Sequence, residues 1–314
     1  MNPTKKILVT GATGFVGSAL VKYLSENGYS VRAAIHHTPP KKMFAGVEYY
    51  KVDILDPKKL SEALDGIQIV FHLASLTQSA GKKEPSESAF QKLNIEGTTN
   101  LVAAAEKSGV EQLVYFSSIS VYGPSNGGKA WDESDSPRPT TVYGRTKYAA
   151  ESVVLHSKVP ATVLRLSSVY GKGMVGNYKT LFHALRLHIW PNFLEGKNRR
   201  TLIHIDDLCR AAHLVASSPR AISQIYNVSD GNIHQFNAII DAICKVHGRK
   251  SPTFKIPMQP LLWLGQLTRH RINIEKMLQK LTEDMAVSGI KIQSELGFKA
   301  NYDLIAGWQT LLSP

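Results

Sequence analysis

Short apolar runs alternate with stretches of helical spacing through the first half of the chain. Lys6–Thr10, Ser30–Ile35, Val47–Val52, Gln68–His72, Gln112–Ser117 and Ala161–Leu166 read as strands. Phe15–Asn27, closed by Gly28, then Pro57–Leu64, Ser86–Ser108 and Thr141–His156 read as helices. Strands alternating with helices across short loops predict an α/β fold, a doubly wound parallel sheet of the Rossmann type covered on both faces.

Past Gly171 the pattern loosens. A helix over Tyr178–His188, a strand at Thr201–His204, a helix over Asp206–Ala216 and a strand at Gln224–Val228 are predicted. Then come an apolar stretch at Leu261–Leu264, a segment Lys276–Leu281 and a last helix near Asp303–Leu312. Neither an internal repeat nor a low-complexity linker interrupts the chain. The expected organisation is a dinucleotide-binding Rossmann domain over residues 1–170, to which 206–230 return. Residues 171–205 and 231–314 would form a small C-terminal substrate-binding lobe. Leu261–Leu264 is expected to bury one helix face in that lobe, rather than to line an apolar substrate site or touch a membrane.

Composition narrows the class. Across 314 residues, 43% hydrophobic and 20% charged content argues against disorder, collagen and coiled coil. No apolar run approaches the ~18 residues of a membrane span, and no apolar signal segment precedes the first strand. Cys209 and Cys244 lack metal-ligand spacing, so neither a zinc site nor a disulfide framework is expected. A cytoplasmic protein without stable membrane insertion follows. The formal charge of +12 is spread in short pairs such as Lys41-Lys42, Lys82-Lys83 and Arg199-Arg200. Scattered charge of this kind suits a small phosphorylated ligand, or plain solubility, better than nucleic acid.

The first chemistry stands at the end of the first strand. Thr10-Gly11-Ala12-Thr13-Gly14-Phe15-Val16-Gly17 sets glycines at three-residue intervals between a strand and a helix. Glycine permits the tight turn, lets backbone N–H groups approach a pyrophosphate, and leaves a helix N-terminus facing the anion. After the second strand, where an acid would pair with a free ribose 2′-OH, the chain has His36 and His37, flanked by Arg32 and Lys41-Lys42. That tilts the cofactor toward NADP, with NAD as the alternative. Asp53 and the His72-Leu73-Ala74-Ser75 segment fall where later strand ends would flank adenine and ribose, although Asp53 also suits a helix cap and His72 a satisfied buried histidine.

Tyr143 and Lys147 lie four residues apart on a predicted helix and share a face. A free tyrosine has a pKa of about 10, and a neighbouring ammonium, helped by a positive nicotinamide ring, lowers it toward useful acid–base chemistry. Ser117 and Ser118 close the fifth strand, where a hydroxyl can hydrogen-bond a substrate oxygen.

In order, these motifs resemble the extended short-chain dehydrogenase/reductase family, also called the NAD-dependent epimerase/dehydratase family. The resemblance also draws on Asp53-Ile54, Asn94-Ile95-Glu96-Gly97-Thr98, Ser117-Ser118-Ile119-Ser120-Val121-Tyr122-Gly123, Tyr143-Gly144-Arg145-Thr146-Lys147 and Arg165-Leu166-Ser167-Ser168-Val169-Tyr170-Gly171. Further along it takes in residues 202–208, 226–228 and 291–297. It implies an NAD(P)-dependent oxidoreductase with Ser118, Tyr143 and Lys147 as the catalytic residues. Cofactor contacts would come from Gly11, Thr13, Gly14, Phe15, Val16, Gly17, His36, Asp53, Ile54, Leu73, Ala74, Ser75 and Asn94. Tyr143, Lys147, Ser168 and Val169 would add to them at the nicotinamide. Thr77, Ser118 and Arg200 would meet the substrate. Arg200 occupies the place of an arginine that binds the diphosphate of nucleotide sugars, so an epimerase, dehydratase or 4-keto reductase of a nucleotide sugar is the expected activity. Ser168 and Met277-Leu278, with only Lys280 near, depart from that pattern. They leave a ketoreductase similar to dihydroflavonol reductases or 3β-hydroxysteroid dehydrogenases as the alternative. The resemblance also implies a homodimer through Ser86–Ser108 and Thr141–His156.

Overall fold

The computed structural model describes residues 1–2, 4–77, 85–125, 128–187, 196–252 and 283–312. Seven strands make the main sheet: β1 (Lys6–Thr10), β2 (Ser30–Ile35), β3 (Val47–Lys51), β4 (Ile69–His72), β5 (Gln112–Ser118), β6 (Ala161–Leu166) and, after three short strands, β10 (Ile225–Val228). Their order is β10-β6-β5-β4-β1-β2-β3, and every neighbouring pair is parallel. The short strands β7 (Ser168–Tyr170), β8 (Arg199–Arg200) and β9 (Leu202–His204) lie outside this sheet: β7 pairs with β9, and β8 with β11 (His234–Gln235). From β1 the chain winds outward to β3, then returns to β4 on β1's other side. A crevice therefore opens beyond the carboxyl ends of β1 and β4, where such sheets bind ligands.

Parallel strands need crossover helices, and these bury both faces of the sheet. One face carries α1 (Phe15–Glu26), with Leu20, Val21 and Leu24 buried, against α7 (Ile205–Ser217), with Leu208, Ala212 and Val215 buried. The other carries α2 (Pro57–Ala63), α4 (Gly97–Lys107) and α5 (Val142–Leu155). The predicted helix over Ser86–Ser108 is a continuous spiral with a change of pitch. A short α3 (Glu87–Phe90) runs into a π-helical turn at Gln91–Glu96 before α4 begins, and the buried Asn94 sits in the wide turn. Such turns re-aim a side chain that a regular α-helix would place elsewhere.

A separate apolar cluster joins α6 (Asn177–Arg186), α8 (Phe236–Val246) and the final helix Leu304–Gln309 around Tyr170 and Trp308. The sequence reading did not single out α8, yet Phe236, Ile239, Ile240 and Ile243 recur at three- and four-residue steps and are all buried. Helix Ile290–Leu296 does not join that cluster. Its Ile292, with Phe298, packs into the sheet's core. The stretches 261–264 and 276–281, together with Lys82, Lys83 and His188, lie outside the described residues. Among the described residues, no helix is long and apolar enough to cross a membrane.

Candidate active site

The crevice is a cleft of about 610 Å³, within the ordinary size of a ligand site. Its floor is the glycine turn. Gly11 has φ +67°, and a Cβ there would stand 2.8 Å from the backbone of Leu73 and Ala74. At Gly17 a Cβ would stand 2.1 Å from the Gly11 carbonyl oxygen. No side chain larger than hydrogen fits at either position. Gly14 caps α1 without a side-chain hydrogen bond, so the first N–H groups of the helix face the cleft with no side-chain acceptor at the cap. This cradle fits the pyrophosphate of a dinucleotide.

Gly11, Thr13, Gly14, Phe15, Val16 and Gly17 line the cleft, as do His36, Asp53, Ile54, Leu73, Ala74, Ser75, Thr77 and Tyr143. Ser118, Lys147, Asn94, Ser168, Val169 and Arg200 are not among the residues that line it.

Four buried side chains, Thr10, His72, Thr98 and Asn94, hold the cleft's walls in register. The Thr10 hydroxyl accepts the Leu73 and Ala74 N–H groups, each at 3.1 Å, so its own proton goes to His72 Nδ1 at 2.7 Å. The Thr98 hydroxyl donates to the Asn94 carbonyl and therefore accepts at 3.0 Å from His72 Nε2. This accounting assigns His72 one tautomer, with the proton on Nε2. Burial pushes its pKa down to about 3 and keeps it neutral. Asn94 exchanges hydrogen bonds with both backbone groups of Leu76, at 2.7 and 3.1 Å, and donates to Thr146 Oγ1 at 3.0 Å. With its amide spent this way, Asn94 fixes the wall of the cleft against α5.

At the far end, His36 Nε2 lies 3.4 Å from Asp53 Oδ2. An acid is thus present after all, supplied by the end of β3 rather than β2. Arg32, grouped above with a basic surround for a phosphate, is directed elsewhere. Its guanidinium donates to the Ala63 and Asp65 carbonyls at 2.7 and 3.1 Å and pairs with Glu48 at 2.9 Å. It is the C-terminal cap of α2, whose last carbonyls attract a cation.

Thr141 caps α5 by accepting the Gly144 N–H at 3.0 Å, which starts the helix so that Tyr143 opens onto the cleft. Ser118 Oγ donates to Ser120 Oγ at 3.1 Å and accepts the Ser120 N–H at 3.2 Å, and the Ser118 hydroxyl is close enough to Tyr143 to favour its phenolate. Lys147, one turn on, is 1% exposed, with Nζ 4.2 Å from the centroid of the Tyr115 ring. The protein's own side chains push Tyr143 up to about 12, through burial that the Ser118 hydrogen bond only partly offsets. Burial brings Lys147 down to about 7 against the pull of Glu151. The expected lowering of the tyrosine by an ammonium is therefore not what these side chains give by themselves: desolvation raises the phenol and only the Ser118 hydroxyl works against it. Glu151 escaped the sequence reading, although its place one further turn along α5 was legible.

The diphosphate candidate Arg200 is 8% exposed, in the interior rather than on the surface. It lies on β8 opposite His234, and its charge, with the Ser168 hydroxyl, works against the desolvation that raises the Tyr178 phenol. Among the described residues no group of His, Cys, Asp and Glu side chains is arranged to hold a metal.

The profile of the NAD dependent epimerase/dehydratase family matches residues 7–229. A UDP-glucose 4-epimerase of Vibrio cholerae is 27% identical over 97% of this chain and 94% of its own. A 3-beta-hydroxysteroid dehydrogenase of Mycolicibacterium neoaurum is 30% identical over 80% of this chain and 72% of its own. Among solved structures, MoeE5 in complex with UDP-glucuronic acid and NAD superposes with a TM-score of 0.78, at 28% identity and 97% coverage of both chains.

Proposed function

We propose that this chain, which belongs to the NAD dependent epimerase/dehydratase family, transfers hydride at a carbinol or keto carbon of a nucleotide sugar, with Ser118, Tyr143 and Lys147 as its catalytic residues. One observation carries this reading: Tyr143 opens onto a cleft floored by the glycine cradle, with the Ser118 hydroxyl acting on its phenol and Lys147 one turn along the same helix. NAD, when bound, supplies the hydride acceptor and donor. The residues from Gly11 to Gly17 would hold its pyrophosphate, and Asp53 with His36 its adenosine end. Ser118 polarises the substrate oxygen, and Tyr143 exchanges a proton with it. Lys147 supplies a positive charge one turn along α5 from the phenol, which burial holds at about 12.

NAD is favoured over NADP because Asp53 stands 3.4 Å from His36, where a 2′-phosphate would meet a carboxylate, and because Arg32 is committed to α2. The NAD complex of MoeE5 supports the same choice. A nucleotide sugar is favoured over a steroid-like ketone by likeness to the Vibrio cholerae UDP-glucose 4-epimerase, which runs over 97% of this chain, and to MoeE5, whose complex holds UDP-glucuronic acid. The 30%-identical hydroxysteroid dehydrogenase keeps the less polar ketone as the second reading. A homodimer through α4 and α5, a cytoplasmic location and a substrate lobe built on the α6–α8 cluster complete the proposal.

Tyr143→Phe tests the assignment. Turnover of UDP-glucose or UDP-galactose should fall by about 10²–10⁴-fold, the usual contribution of a positioned acid–base group, with NAD affinity nearly unchanged. Undiminished turnover would remove Tyr143 from the mechanism.

A further inference from the structure

A carboxylate sits beneath the Tyr143–Lys147 pair. Tyr143, Lys147 and Glu151 follow at four-residue steps on α5 and share one face. Glu151 is 1% exposed and is held from two sides. Arg165 on β6 donates to it from Nε at 3.0 and 3.2 Å and from Nη2 at 2.7 Å. The hydroxyl of Ser117, a residue that lines the cleft, donates to its other flank. Arg165 is in turn fixed by a 2.8 Å hydrogen bond to the Tyr122 hydroxyl, which donates to Asn227 at 3.0 Å. The carboxylate cannot swing away without breaking several buried bonds.

We propose that Glu151 is a positioning residue for the reaction, holding Lys147 as the ammonium on which the Tyr143 proton exchange depends. This rests on the role proposed above for Tyr143. The groups facing Lys147 are Tyr143 and Glu151 on α5, the Tyr115 ring on β5 and His72 on β4, with Arg165 on β6 beyond the carboxylate. His72 is neutral, and the two tyrosines are held protonated by burial. Glu151 is thus the one acid in this set, salt-bridged to Arg165 and one turn along α5 from Lys147, on which its charge acts. Without it, Lys147 and Arg165 would share a dry interior with like charge, and the lysine would give up its proton. Burial already carries Lys147 to about 7, so a small change in its surroundings changes how much of it is charged at neutral pH.

A purely structural bridge tying α5 to β6 would leave the lysine's titration alone, and that difference is measurable. Heteronuclear NMR on protein labelled at lysine Cε, with NAD present and Lys147→Arg used to assign the resonance, reads the charge on Lys147 against pH. Glu151→Gln by itself leaves Arg165 unpaired and threatens folding, so the decisive variant is Glu151→Gln/Arg165→Met, which removes both charges. The Lys147 midpoint should fall by about one pH unit, a tenfold loss of proton affinity, in that folded double variant. In Arg165→Met, which keeps the carboxylate, it should hold or rise. An unchanged midpoint in the double variant overturns the proposal, and so does an equal fall in Arg165→Met. This readout needs no substrate: if nucleotide sugars prove inert while the midpoint still moves, the substrate assignment fails and the role of Glu151 stands.

Discussion

Gly17→Ala is the most severe small change the cleft admits. The added Cβ would stand 2.1 Å from the Gly11 carbonyl oxygen, 2.8 Å from its carbonyl carbon and 3.0 Å from Ala12 Cα. Ordinary contact begins at 3.4 Å, so the shortfall against the oxygen is about 1.3 Å, and every obstructing atom is backbone or Cα. The helix cannot simply retreat, because Leu20, Val21 and Leu24 are packed into the sheet's core. Strain of about 2 kcal/mol is the expected scale for such overpacking. It falls on the turn whose N–H groups must converge on the pyrophosphate, so NAD affinity should drop about 30-fold by calorimetry, since 1.4 kcal/mol is tenfold. Tm should fall by roughly 3 °C, at about 1.5 °C per kcal/mol for a chain of 314 residues. Gly14→Ala is the control: its Cβ meets only the Gly11 oxygen at 3.2 Å, a gap that relaxes by a few tenths of an ångström. Affinity there should stay within about threefold. If Gly17→Ala binds NAD as tightly as the parent, the cradle does not hold the cofactor.

Asp53→Asn should raise NADP affinity relative to NAD, since it removes the carboxylate 3.4 Å from His36; an unchanged ratio in paired titrations would take Asp53 out of cofactor choice. Arg200→Ala should raise the KM for UDP-glucose about tenfold or more while leaving NAD binding alone; an unchanged KM would detach Arg200 from the diphosphate. His72 must stay neutral in the fold, with a pKa near 3 against 6.5 unfolded, so below pH 6.5 the unfolded chain binds the extra proton. Its contribution to stability is complete above 6.5 and is lost as pH falls toward 3, with a slope of up to about 1.4 kcal/mol per pH unit. His72→Gln, which can still donate to Thr98 and accept from Thr10, should flatten denaturant-derived stability between those limits; an equal slope in both proteins would refute the assignment.

The sheet was legible because each strand is a short apolar run bounded by turn residues, and β1, β2 and β6 fall where the pattern places them. The glycine turn was legible for a steric reason, since Gly11 and Gly17 occupy places where a Cβ would strike backbone. What local reading could not give were pairings across the sequence. Nothing near Arg32 announces that it caps α2, a contact made to Ala63, and nothing near His36 shows Asp53 beside it. Glu151 faces Arg165 only because α5 lies across β5 and β6. The π-helical turn at Gln91–Glu96 was hidden as well: its spacing reads as an ordinary helix until Asn94 is seen bonded to Thr146, 52 residues away. The missed α8 was a different failure, for its period was plain in the sequence.

The central claim, Tyr143-dependent hydride transfer at a nucleotide sugar, is tested most directly with UDP-glucose deuterated at sugar C4 and the NAD-loaded protein. The account predicts conversion to the C4 epimer with the deuterium retained, because hydride leaves and returns within one site, and no conversion by Tyr143→Phe. A nucleotide sugar left unchanged by protein that demonstrably carries NAD, together with oxidation of a 3β-hydroxysteroid by the same preparation, would contradict it.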